Sequence, residues 1–151
     1  MALKKILLST VAVIFLLQSC CTKVNCTGFE GERAINLVNF TAADVDSVIV
    51  EVFENGSNLS VRIDSSLTSA SPNSGNNSFT LIVNEGFDVN HAYKITFPGI
   101  SKSYVLSDLE TKKEACNSCF PYHPKSDYYS ALNSYNFNGQ RQTGATLQIS
   151  K

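Results

Sequence analysis

The chain has 151 residues, with 12 Lys and Arg against 13 Asp and Glu and a formal charge of −1. That length fits one core-bearing domain with short appendages. The near-neutral balance, with no run of like charge longer than Lys112-Lys113, excludes a surface built to neutralise phosphates, so nucleic acid is not expected as a partner. Apolar residues recur throughout and aromatics are plentiful, which excludes a disordered polymer.

The first element is an export signal. Lys4 and Lys5 precede an apolar run from Ile6 to Leu17 that is interrupted only by Ser9 and Thr10, and Gln18-Ser19-Cys20 close it. The run falls short of the ~18 to 20 apolar residues that span a bilayer, but it has the layout of a cleavable signal peptide. Leu17 at −3, Ser19 at −1 and the cysteine resemble the lipobox of bacterial lipoproteins. That resemblance implies cleavage after Ser19, residues 1–19 acting as signal peptide, and lipid attached to Cys20. The covalent lipid is then the only prosthetic group expected, and the membrane is a partner through it. Two or more acyl chains hold a soluble domain at a bilayer far more firmly than one. Removing residues 1–19 leaves 132 of the 151, and losing Lys4 and Lys5 takes 12 basic residues to 10 against 13 acids, a charge of −3.

Residues 20–30 read as a polar, lipidated tether, and residues 31–151 as the folded domain. In that domain the apolar period is mostly two, the mark of half-buried strands. Residues 34–40 suggest a strand buried on much of both faces, and residues 41–44 a helical turn or loop. Ser47 to Phe53 is a strong strand, closed by the Asn55-Gly56 turn signal. A weaker strand follows at 59–63, with Leu59, Val61 and Ile63 on one face. Residues 68–78 are Ser- and Asn-rich and read as loop. Further strands are expected at 79–83, at 91–97 before Pro98-Gly99, at 103–109, at 131–137 before Asn138-Gly139, and at 145–149.

About eight short strands without a long amphipathic helix predict an all-β, single-domain antiparallel β-sandwich of Ig-like or Greek-key type, with a small β-barrel as the alternative. The layout as a whole, a lipobox followed by a Cys-containing tether and alternating strands, resembles small envelope lipoproteins of Gram-negative bacteria. The resemblance implies a place in the cell envelope, with the outer membrane as the expected destination, and it implies nothing about a ligand.

Beyond Cys20 the chain carries Cys21, Cys26, Cys116 and Cys119. An even number in an exported chain points to disulfides, in any of three pairings. A bridge from the tether to the segment near residue 117 would close a loop of roughly 90 residues and stabilise by about 4 kcal/mol on the chain-entropy account. Two other chemistries fit the same residues. Cys116-x-x-Cys119 has the spacing of a thiol-disulfide redox pair, though Pro121 and Pro124 oppose the helix that such a site needs to lower a thiol pKa. Cys116, Cys119 and His123 supply three ligands that zinc accepts, without a recognisable second pair. Haem attachment is excluded because Phe120 stands where a histidine is required.

Signals for catalysis are scarce. His91 opens a strand and is expected to cap or line a surface. Asp44 and Asp46 read as solvated turn acids, since their surroundings lack the oxygen ligands of a calcium loop. No serine elbow and no phosphate loop occurs, so an enzyme is not expected. The candidate binding surface is aromatic: Tyr122, Tyr128 and Tyr129 lie in a connection where exposed rings can stack on a glycan or anchor a protein partner. Tyr135 and Phe137, nearby, are expected to fill the core.

Overall fold

A computed structural model of the chain describes residues 28–29, 32–74, 78–115, 128–144 and 146–151. Among the described residues ten strands form, in chain order β1 (Ala34–Val38), β2 (Val48–Glu54), β3 (Arg62–Thr68), β4 (Ala70–Pro72), β5 (Ser78–Ile82), β6 (His91–Phe97), β7 (Lys102–Ala115), β8 (Tyr128–Phe137), β9 (Gln140–Thr143) and β10 (Gln148–Ser150). A one-turn helix, α1 (Ala42–Val45), follows β1, and a 3-10 turn (Pro98–Ile100) follows β6. The chain divides into a main body, residues 27–113 and 130–151, and a smaller unit, residues 1–26 and 114–129.

The main body is an all-β sandwich. Its sheets run β10-β1-β5-β4 and β3-β2-β6-β7-β8-β9. Among the described residues neither order closes on itself, so the barrel alternative does not hold. The pairings β1–β5, β4–β5, β2–β3, β2–β6, β6–β7 and β8–β9 are antiparallel, and β10 lies parallel to β1, with Leu37 opposite Ile149. Ser69 alone separates β3 from β4, and the chain passes there from the edge of one sheet to the edge of the other.

The two inner faces supply one continuous core. The smaller sheet contributes Ile35, Leu37, Leu81 and Ile149, and the larger one Val48, Val50, Tyr93, Ile95, Phe97 and Leu106. These are β-branched, aromatic or leucine side chains at alternating positions, which is what a pleated surface buried on one face selects. Phe29, within the stretch read as a tether, joins this core at 4% exposure and stacks on Phe87.

Several local expectations need correction. Strand β1 is buried on one face only: Ile35 and Leu37 are fully covered while Asn36 is exposed. The strand expected at 59–63 starts at Arg62 instead, because Asn58 and Leu59 adopt left-handed backbone conformations (φ 50° and 59°) and belong to the turn. Val61 and Ile63 are consequently half exposed, at 49% and 52%. The loop at 68–78 contains β4, whose Pro72 is tolerated because an edge strand can spare an N–H. The strand expected at 145–149 is shorter and later, β10 at Gln148–Ser150, and β9 at Gln140–Thr143 was not expected.

Asp44 is not a solvated turn acid. It is 8% exposed and its carboxylate accepts from the Thr41 N–H at 2.7 Å and from Lys151 Nζ at 2.7 Å. The Lys151 ammonium first, and then the Thr41 amide, hold its pKa down at about 2, from an ordinary 3.8. A carboxylate depressed in the fold contributes stability that is complete above its ordinary pKa and is lost on acidification. The melting temperature is therefore expected to fall as pH drops from 3.8 toward about 2, and Lys151→Met should remove part of that acid dependence. Thermal melts of both proteins across this range check it. Asp46 is exposed, as expected.

Candidate binding surfaces

Of the residues singled out for chemistry, Cys20, Cys21, Cys26, Cys116, Cys119, Tyr122 and His123 lie outside the described residues. Tyr128 and Tyr129 are described and belong to the smaller unit. Tyr128 is 52% exposed. Tyr129 is half-buried and donates its hydroxyl to a Glu114 carboxylate oxygen at 3.1 Å. One ring therefore faces solvent and the other is tied down by a carboxylate. Tyr135 and Phe137 pack with the core as expected, the former 6% exposed.

In the main body, His91 lines a cleft of about 430 Å³ that also takes in Ile63, Asp64, Glu85, Asp88 and Tyr93. Its position follows from local chemistry. The Tyr93 hydroxyl, buried at the start of β6, accepts the Asp88 N–H at 2.7 Å and donates to the Gly86 carbonyl at 3.4 Å. Burial pushes the Tyr93 phenol above its usual pKa, against the opposing pull of the Asp88 amide. Asp88 in turn accepts from the Asn90 backbone and side chain at 2.8 and 2.9 Å, which closes the turn leading into β6. Phe87 meets Tyr93 edge-on at 5.0 Å, and the His91 ring lies 6.4 Å from it. The lining thus offers three carboxylates, an imidazole and one exposed isoleucine, with no lysine or arginine. Among the described residues, no three His, Cys, Asp or Glu side chains group closely enough to hold a metal ion.

A second polar constellation ties β7, β8 and β9 together. Ser134, 3% exposed, donates to Glu110 at 3.0 Å, while Arg141 donates to Ser134 Oγ at 2.6 Å and pairs with Glu110. Arg141, and then Ser134, lower the Glu110 pKa. Asp108, in a left-handed conformation at φ 50°, accepts from Asn136 at 2.6 Å. The serine hydroxyl is committed to a carboxylate, so these bonds lock strands in register. On the outer face of the larger sheet, Glu51 takes Arg62 at 3.1 Å and Lys94 at 3.3 Å. Burial works to raise the Glu51 pKa, and the two cations outweigh it to leave the group lowered.

Sequence reasoning missed the acidic cleft and the Ser134 network. His91 was the visible clue to the first, and its partners come from three separate stretches of chain. For the second, no local pattern joins positions 108, 110, 134 and 141. No described helix is long and apolar enough to cross a membrane. Comparison with protein-family models, with curated proteins and with solved structures finds no match.

Proposed function

We propose that the protein is a lipid-anchored module of the bacterial cell envelope with a non-catalytic binding or structural role. The observation that carries this reading is the Leu17-Gln18-Ser19-Cys20 signal ending. It stands ahead of a β-sandwich whose first described strand begins at Ala34. Acyl chains on Cys20 would hold that sandwich at a membrane, with the outer membrane as its destination, and the chain between Cys20 and the core residue Phe29 would act as a leash. Cys21, Cys26, Cys116 and Cys119 would pair as disulfides in that oxidising compartment. Tyr122, Tyr128 and Tyr129 are the surface we assign to a protein or glycan ligand. The half exposure of Tyr128 supports that assignment.

Cys20→Ser tests the anchor. The parent chain, expressed in a Gram-negative host, is expected in the detergent-extractable membrane fraction with a mass increased by acylation. The variant is expected to be unacylated and absent from that fraction as a lipidated species. Mass spectrometry of non-reduced material reads acylation and disulfides together. A parent chain found in the cytosol, unlipidated and with free thiols, would overturn both the location and the bridges.

A further inference from the structure

We propose that Asn55 is a site of spontaneous deamidation and that the fold protects the second Asn-Gly pair, Asn138-Gly139, from the same reaction. The two pairs occupy turns of the main body, and residues of both turns, Asn55 and Gly139, line one cleft of about 370 Å³ together with Glu54 and Asp108. Their side chains are held in opposite ways. The Gly56 N–H points at the Asn55 side-chain oxygen, 3.1 Å away, and that is the one hydrogen bond described for the Asn55 side-chain amide. The nitrogen that attacks is therefore held against the side-chain carbonyl it attacks, which lowers the orientational cost of ring closure once its proton is lost. Gly56 and Gly139 do not distinguish the pairs: their φ values are 77° and 79°, and at neither does an atom lie within 4 Å of where a side chain would sit, so the difference lies in the asparagine side chains.

At Asn138 the side-chain oxygen instead accepts the Val105 N–H at 2.8 Å, while the Asn138 N–H donates to the Val105 carbonyl at 2.9 Å. The amide continues the ladder of β7 as if it were backbone. It must break that bond before Gly139 can attack. Exposure alone ranks the pair the other way, since Asn138 is exposed and Asn55 half-buried.

The chemistry balances without a partner. The deprotonated Gly56 nitrogen attacks the Asn55 side-chain carbonyl carbon, a C–N bond forms, and ammonia leaves with the proton. Water then opens the succinimide to aspartate or isoaspartate. The product places a third carboxylate beside Glu54 and Asp108, and in the isoaspartate form it lengthens the backbone of the β2–β3 turn.

The full chain, incubated folded at mildly alkaline pH, is to be digested and mapped by mass spectrometry that separates aspartate from isoaspartate. A parallel sample kept unfolded in urea gives the intrinsic rate of each pair. Conversion at Asn55 is expected to outrun that at Asn138 by about tenfold or more when folded, a ratio equivalent to about 1.4 kcal/mol, the order of one hydrogen bond. The unfolded sample should convert both at similar rates. Isoelectric focusing should show one more acidic species, absent from Asn55→Gln. Equal folded rates, a faster Asn138, or an Asn55 that persists where the unfolded chain converts would overturn the proposal.

Discussion

Phe97→Ala is expected to cost about 3–5 kcal/mol, a large share of the ~5–15 kcal/mol that holds a domain of this size. Phe97 ends β6 with no exposed surface. Its ring lies 4.8 Å from Phe40, which follows β1 of the smaller sheet, and meets Tyr104 of β7 edge-on at 5.7 Å. Tyr104 then stacks on Phe137 of β8 at 5.5 Å. One ring therefore joins the two sheets and starts a row of aromatics across the larger one. Truncation loses the transferred area and leaves a cavity whose walls, being β-sheet on both sides, cannot close over it. It also removes two aromatic contacts worth about 0.5–1.5 kcal/mol each beyond their area, partly counted in the same total. The melting temperature should drop by roughly 10 °C. The urea midpoint should fall at an unchanged slope if the unfolded chain is the same. The chain has no tryptophan, so tyrosine signals and circular dichroism are the natural probes. A loss below about 1 kcal/mol, the level of an average point substitution, would show that Phe97 does not bridge the sheets.

The elements that could be read from the sequence are those in which periodicity and punctuation agree. Strand β6 was expected at 91–97 and forms there, because Tyr93, Ile95 and Phe97 alternate inward and Pro98-Gly99 stops the run. Strand β2 differs by a single residue at each end for the same reason. Leu59, Val61 and Ile63 imitate that pattern, but two left-handed residues in a row turn the chain before pairing starts, so the alternation there carries no face. Strand β4 reads Ala-Ser-Pro, and the far half of β7 is largely charged. Both are strands by virtue of their neighbours, with little apolar signal of their own. The signal ending proposed as an anchor was legible because signals of that kind are read from linear sequence. The His91 cleft and the Asp44–Lys151 pair were not, since their members meet only after the sheets have stacked.

Ile149→Ala is expected to cost about 2–5 kcal/mol even though β10 is three residues long. The strand is the far edge of the smaller sheet, parallel to β1, and Ile149 is fully buried opposite Leu37. Leu147, 2% exposed, is buried immediately before it. The backbone on either side is fastened as well: Asn36 N–H donates to the Leu147 carbonyl at 2.9 Å and Lys151 N–H to the Val38 carbonyl at 3.1 Å. Asn39 donates to the Ser150 hydroxyl at 3.2 Å, and Tyr104 reaches the Ser150 carbonyl at 3.4 Å. These bonds keep the segment in place when the side chain is cut back, so the cavity stays open and its full cost is felt. Ile82 supplies the contrast. It lies on β5 of the same sheet, on the other side of β1, but is 44% exposed, and Ile82→Ala should change stability by no more than about 0.5 kcal/mol. Denaturant titration of the two variants separates burial from residue type. Equal losses would mean that the parallel strand is not docked, and an Ile149 effect with intact exchange protection at Leu37 would place the cost in the cavity and leave the ladder whole.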